Sequence, residues 1–180
     1  MNQRRGKLAL WAAVAVLAFA MLAGGRAMAY DYEEAIPDEY RINGFALGCQ
    51  AYSFNRFSFF EAIERTKETG CRLIEAYPGQ KLSPDDDTPF SHEAPKAVWD
   101  KAKAKLNEEG IKIVAYGVVT PNPANEENYR MIFEFAKYMG ICVINSEPPL
   151  EACEMLGKLA KEYDIPVGIH NHPRRPNDAS

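Results

Sequence analysis

Ile141-Cys-Val-Ile-Asn-Ser-Glu-Pro-Pro149 and Ile165-Pro-Val-Gly-Ile-His-Asn-His-Pro173 are two short apolar runs that each end in polar, chemically active residues. Between them, residues 150–163 place Leu156, Leu159 and Ala160 on one helical face, so the passage predicts strand, helix, strand. The same alternation extends toward the N-terminus. A helix over 126–138 stops at Gly140, a strand covers 111–119, and a helix over 94–109 stops at Gly110. Further back lie a strand over 71–76 and a helix starting at Ser58, with Phe59, Ala62, Ile63 and Thr66 at helical spacing and Gly70 at its end. The first strand is expected over 45–52. Residues 78–95 are expected to form a polar loop, and Asp85-Asp86-Asp87 within it reads as a solvated turn without the spacing of a calcium loop.

Apolar strands separated by helices belong to parallel sheets covered by their crossover helices. Two α/β architectures fit: a partial (β/α)8 TIM barrel with about five strands present, or a five-stranded doubly wound parallel sheet. Residue parity favours the barrel. Ala46, Gly48, Gln50 and Tyr52 share one face of the first strand, and Asn145 and Glu147 lie opposite Ile144. Gly168, His170 and His172 lie opposite Val167 and Ile169. A face that is small at the start of each strand and polar at its end suits a barrel interior with a site at its mouth. No GxGxxG or GxxxxGK[ST] motif supplies a function for the doubly wound alternative. A full barrel takes about 250 residues, so the 180-residue chain is expected to hold its N-terminal part.

Arg4, Arg5 and Lys7 precede a run of apolar residues over 8–22, and Ala27-Met-Ala29 is a small-x-small cleavage pattern. Residues 1–29 therefore read as a signal peptide, 30–43 as an acidic linker, and 44–180 as the barrel domain. The expected location is secreted or periplasmic. An uncleaved, membrane-anchored form is the alternative, although the apolar run is shorter than the roughly 20 residues that span a bilayer. Outside residues 1–29 the chain carries 17 basic and 25 acidic residues, an excess of acid that argues against a nucleic-acid partner. Cys49, Cys71, Cys142 and Cys153 fall in apolar strand or helix patterns and read as buried thiols rather than disulfides. None has CxxC metal spacing.

His170 and His172 point to the same side of one strand, as two ligands or as one ligand and one substrate contact would. Glu147 stands where the preceding strand leaves the sheet, and Glu75 occupies the matching place on the second strand. A carboxylate buried there needs a cation, a metal or a proton. Mixed oxygen and imidazole ligands suit Mn, Zn, Co or Fe as divalent ions. His92 reads as a solvated loop histidine, Lys81 as a surface lysine able to reach an anionic substrate group, and the aromatic residues from Tyr52 to Phe60 as a wall of the mouth or packing for the first helix.

Gly48-Cys-Gln-Ala-Tyr-Ser-Phe54, Ile74-Glu-Ala-Tyr-Pro-Gly79, Ser146-Glu-Pro148 and Gly168-Ile-His-Asn-His-Pro173, in that order at strand ends, resemble the sugar phosphate isomerase/epimerase family with its xylose isomerase-like TIM barrel. The resemblance spans about residues 44–173. It implies a divalent metal at the mouth, held by Glu147 and His170, with Glu147 as metal ligand or catalytic base. Glu75 and His172 become neighbours of metal or substrate, Tyr52 and Lys81 are the further expected substrate contacts, and Asn145 or Asn171 would orient the histidines. The partner it implies is a small-molecule carbohydrate, isomerised by proton transfer next to a carbonyl. A metal-dependent hydrolase of the same barrel type and a non-catalytic carbohydrate-binding protein are the alternatives.

Overall fold

The structure is a computed structural model that describes residues 35–120 and 125–172. Residues 1–29, the cleavage after Ala29 and Pro173 lie outside the described residues. Five parallel strands form the main sheet: β1 (Gly48–Gln50), β2 (Leu73–Ala76), β5 (Lys112–Val119), β6 (Val143–Ser146) and β7 (Val167–Ile169). Their order in the sheet, β1-β2-β5-β6-β7, follows the chain. Right-handed crossovers between strands laid down in one direction put every helix on the same face. That is barrel winding. A doubly wound sheet needs a reversal of strand order, and none occurs among these five strands.

The helices start and stop where local chemistry tells them to. Helix α1 (Phe59–Glu68) opens with a capping box, in which the Ser58 backbone N–H donates to Glu61 Oε2 at 2.8 Å and the Glu61 N–H donates to Ser58 Oγ at 3.3 Å. Helix α3 (Glu126–Met139) is capped by the Asn125 carboxamide oxygen, which accepts the Glu127 and Asn128 N–H groups. Helices α2 (Lys96–Glu109), α3 and α4 (Cys153–Tyr163) share one ending. The N–H groups of Ile111, Ile141 and Ile165 bond back to the carbonyls of Leu106, Ala136 and Ala160. Each isoleucine therefore completes a helix C-terminus, which corrects the expectation that the strands begin there. The ladder starts one or two residues later. Leu150–Ala152 forms a 3₁₀ turn ahead of α4, so that helix is shorter than expected.

The polar loop expected over 78–95 is instead a β-hairpin, with β3 (Gln80–Ser83) antiparallel to β4 (Asp86–Phe90). Burial of Leu82 and Phe90 drives the correction, since both are fully inaccessible. Phe90 stacks on Phe59 at 4.3 Å between centroids and meets Phe135 edge-on at 5.6 Å, joining α1, the hairpin and α3. Tyr116 and Trp99 pack on Phe135 at 4.8 and 5.2 Å, bringing β5 and α2 into the same aromatic core. Buried Gln80 ties the hairpin to the segment after β1, its Nε2 donating to the carbonyl of Phe57 at 3.0 Å. Asp86 belongs to β4, and the Thr88 hydroxyl, the Lys101 ammonium and the Thr88 N–H, in that order, hold its carboxyl down at about 2.

Strand β1 covers only three of the eight residues expected. Asn43 and Gly44, both at positive φ, turn the chain so that Ile42 pairs with Phe45. Phe45 and Leu47 are left exposed, and Ala51–Phe54 forms a 3₁₀ turn. Among the cysteines Cys142 is buried, Cys49 and Cys71 are half-buried, and Cys153 is exposed, correcting the expectation of four buried thiols; all four are free.

Candidate active site at the carboxyl ends of the strands

Register fixes which side chains share the face away from the helices. Gln50 pairs with Glu75, Glu75 with Ala115, and Asn145 with Gly168, so these positions point the same way. Asn145 Nδ2 donates to Glu75 Oε1 at 2.7 Å, reaching across β5. Two glycines make room for it. A Cβ at Gly117 would fall 2.2 Å from the Asn145 carbonyl oxygen, and one at Gly168 would fall 2.5 Å from Asn145 Oδ1. Asn145, expected to orient a histidine, orients Glu75 instead.

Above this layer lies a cavity of about 610 Å³. Gln50 and Tyr52 enter it from the end of β1, Tyr77 from β2, Glu147 from β6, and His170 and His172 from β7. Gly117 and Val118 at the end of β5 form its floor. The ladder continues into these residues, with the Glu147 N–H donating to the Val119 carbonyl at 3.1 Å and the His170 N–H to the Ser146 carbonyl at 2.8 Å. His172 Nε2 lies 3.4 Å from Glu147 Oε2, both side chains about half exposed, and the His170 and His172 rings meet edge-on at 4.8 Å. Opposite them, Tyr52 and Tyr77 pack edge to face at 5.2 Å. Burial raises the Tyr77 phenol above its ordinary pKa, so it stays a hydrogen-bond donor. Among the described residues that line the cavity, Glu147 is the one carboxylate, and no Lys or Arg lines it.

The structure thus gathers Tyr52, Glu147, His170 and His172 into one cavity and places the other candidates elsewhere. Glu75 sits in the layer beside Gln50, bound by Asn145, and does not line the cavity. Lys81 is on the hairpin, where its Nζ pairs with Asp87 Oδ1 at 2.6 Å; it does not line the cavity either. His92 is half-buried, correcting its reading as a solvated histidine. Its Nδ1 lies 2.9 Å from the hydroxyl of fully buried Tyr116. Gln50, Tyr77, Gly117 and Val118 are lining residues that the sequence reading misses. Gln50 and Tyr77 carry a sequence signal, since each ends or follows an apolar strand on the right face, whereas Gly117 and Val118 carry none.

One carboxylate and two imidazoles are the right donor types for a divalent ion. Among the described residues, however, no group of three or more His, Cys, Asp or Glu side chains is arranged to hold a metal. Glu147 and His172 face each other rather than a common point. The described residues therefore do not make a complete metal site.

Strands in sequential order, helices on one face and a cavity lined by Glu147, His170 and His172 at the carboxyl ends define a barrel-type α/β protein. No family profile matches the chain, and no curated protein matches it. Solved structures do. An uncharacterised protein from Parabacteroides distasonis is similar at 28% identity with a TM-score of 0.64, over 69% of this chain and 52% of that one. A sugar phosphate isomerase/epimerase from Parabacteroides distasonis is similar at 16% identity with a TM-score of 0.52, over 76% of this chain and 56% of that one. The second likeness is one of fold. The chain spans about half the length of both structures.

Proposed function

We propose that the cavity at the strand ends binds a small neutral carbohydrate and that the protein acts as a sugar isomerase or epimerase, moving a proton at the carbon next to a carbonyl. The observation that carries this reading is the convergence of Glu147 with His170 and His172, facing the Tyr52–Tyr77 wall. Glu147 is the base. It accepts the proton from the carbon beside the carbonyl, whose oxygen then gathers negative charge. The histidines and the Tyr77 hydroxyl are the donors available to that oxygen. Tyr52 and Tyr77 offer ring faces and edges to the apolar face of a sugar ring. Among the described lining residues the charged one is a carboxylate, which would repel a phosphorylated substrate.

In its alternative role as metal ligand, Glu147 would together with His170 hold a divalent ion (Mn, Zn, Co or Fe). Bound there, such an ion would polarise the carbonyl. Since the described residues complete no site for it, no step is assigned to it. Export with cleavage after Ala29 belongs to the same proposal and rests on the sequence of residues 1–29.

The test is hydrogen exchange. The protein is incubated in heavy water with xylose, glucose, fructose, maltose or cellobiose, and loss of the proton next to the carbonyl is followed by NMR. Glu147→Gln should slow exchange by about 10²-fold or more. Equal exchange in both proteins, or none with any sugar, refutes the reading.

A further inference from the structure

A second cavity of about 190 Å³ adjoins the first, and the two share Pro78 and Val118 as lining residues. Its other walls include His92, Glu93, Thr120 and Asn128. Sites for small organic ligands usually occupy about 300–1,000 Å³. The larger cavity falls in that range and the smaller one below it, so the smaller works only as an annex of the larger.

The polar groups of the annex have a defined state. Tyr116 Oη, fully buried, accepts the His92 backbone N–H at 3.2 Å and lies 2.9 Å from His92 Nδ1. A phenol that accepts the backbone N–H still has its own hydrogen to donate, and Nδ1 is the acceptor within reach. With Nδ1 as that acceptor, the neutral ring bears its hydrogen on Nε2. Burial, which pushes the imidazole below its ordinary pKa, favours the same neutral form. No partner for Nε2 is found among the described residues. The residues lining the annex thus carry a neutral N–H donor (His92), a carboxamide (Asn128), a hydroxyl (Thr120) and a carboxylate acceptor (Glu93). That set binds hydroxyl and carbonyl groups and repels anions.

We infer that the annex is a second subsite, which takes the additional hydroxylated ring or substituent of a glycoside whose reacting sugar lies in the main cavity, with His92 Nε2–H as its donor. The inference rests on the carbohydrate reading above and adds the size of the substrate: a disaccharide or glycoside rather than a single sugar.

The chain has three histidines, one in the annex and two in the main cavity, so imidazole NMR reports each subsite separately. The full protein, labelled with ¹⁵N, is titrated with glucose, xylose and fructose, and with the reducing disaccharides maltose, cellobiose and lactose. Monosaccharides are expected to shift His170 and His172 alone. At least one disaccharide should also shift His92, whose Nδ1 should show no attached hydrogen. In His92→Gln the affinity for that disaccharide should fall about two- to tenfold, the worth of one neutral hydrogen bond. If His92→Gln does not fold, the comparison of shifts in the wild type stands by itself. Sugars that move His170 and His172 while every disaccharide leaves His92 unmoved overturn the subsite alone. Sugars that move none of the three overturn the carbohydrate reading and the subsite with it.

Discussion

Replacing Gly168 with alanine sets a methyl group 2.5 Å from Asn145 Oδ1, whereas ordinary van der Waals contact begins near 3.4 Å. Asn145 must retreat by about 1 Å, and its only strong tie in this layer is the 2.7 Å bond to Glu75. Loss of a hydrogen bond to a charged group costs about 1.5–3 kcal/mol. Alanine returns about 0.5–1 kcal/mol by being less costly than glycine to order in a strand. Gly168→Ala should therefore destabilise by about 1–2 kcal/mol. In an Asn145→Ala background the obstructing amide is gone, and the next atom, Val143 Cγ2, lies at an acceptable 3.8 Å. There the same substitution should stabilise by about 0.5–1 kcal/mol. The coupling between the two positions is then about 1.5–3 kcal/mol. It is measured by urea unfolding of the four proteins, followed by the fluorescence of Trp99, whose indole N–H bonds the Ser91 carbonyl in the aromatic core. With a urea slope of about 2 kcal/mol/M, the single substitution moves the midpoint by about 0.5–1 M. Additivity within about 0.5 kcal/mol would refute the claim that Gly168 exists to seat Asn145.

Two further measurements bear on the same fold. Gly157 lies exposed inside α4, and a Cβ added there would meet nothing within 4 Å, so Gly157→Ala should stabilise by about 0.5–1 kcal/mol. A thermal scan should show a rise of about 1–4 °C, and a fall would contradict the helix. Acid should destabilise in two stages. The unfolded chain protonates His92 near its ordinary pKa of about 6.5 while the folded protein resists, so stability is full above that pH and declines as pH falls toward the lower folded value. Glu109, held at about 2 by Lys105 and Lys67, contributes stability above about pH 4.3 that is lost as pH falls toward 2. Unfolding free energy measured against pH should lose the first stage in His92→Gln; an unchanged profile would refute the buried-histidine assignment.

Much of the fold is legible in the sequence because burial on one face imposes a period. Phe59, Ala62, Ile63 and Thr66 announce α1 and are all buried in it. Glu147, His170 and His172 stand out because they terminate apolar strands, and parallel strands deliver such residues to one end. What stays hidden depends on contacts between distant residues. The hairpin over 80–90 alternates for only a few residues and carries Pro84 and Pro89, so nothing local distinguishes it from a loop until Leu82 and Phe90 find the core. His92 reads as solvated until Tyr116, 24 positions away, supplies a buried hydroxyl. The Asn145–Glu75 bond joins residues 70 apart.

The shared ending of α2, α3 and α4 works as a counting device. Each strand is measured out from an isoleucine pinned to the helix before it, so Glu147 stands six residues after Ile141 and His170 five after Ile165. Because side chains alternate, one residue inserted inside either interval would turn Glu147 or His170 toward the helices, whereas insertions beyond them would leave their aim intact. Lineages of such a protein are free to lengthen the loops above the sheet, while the spacing between joint and strand tip stays under strict length control.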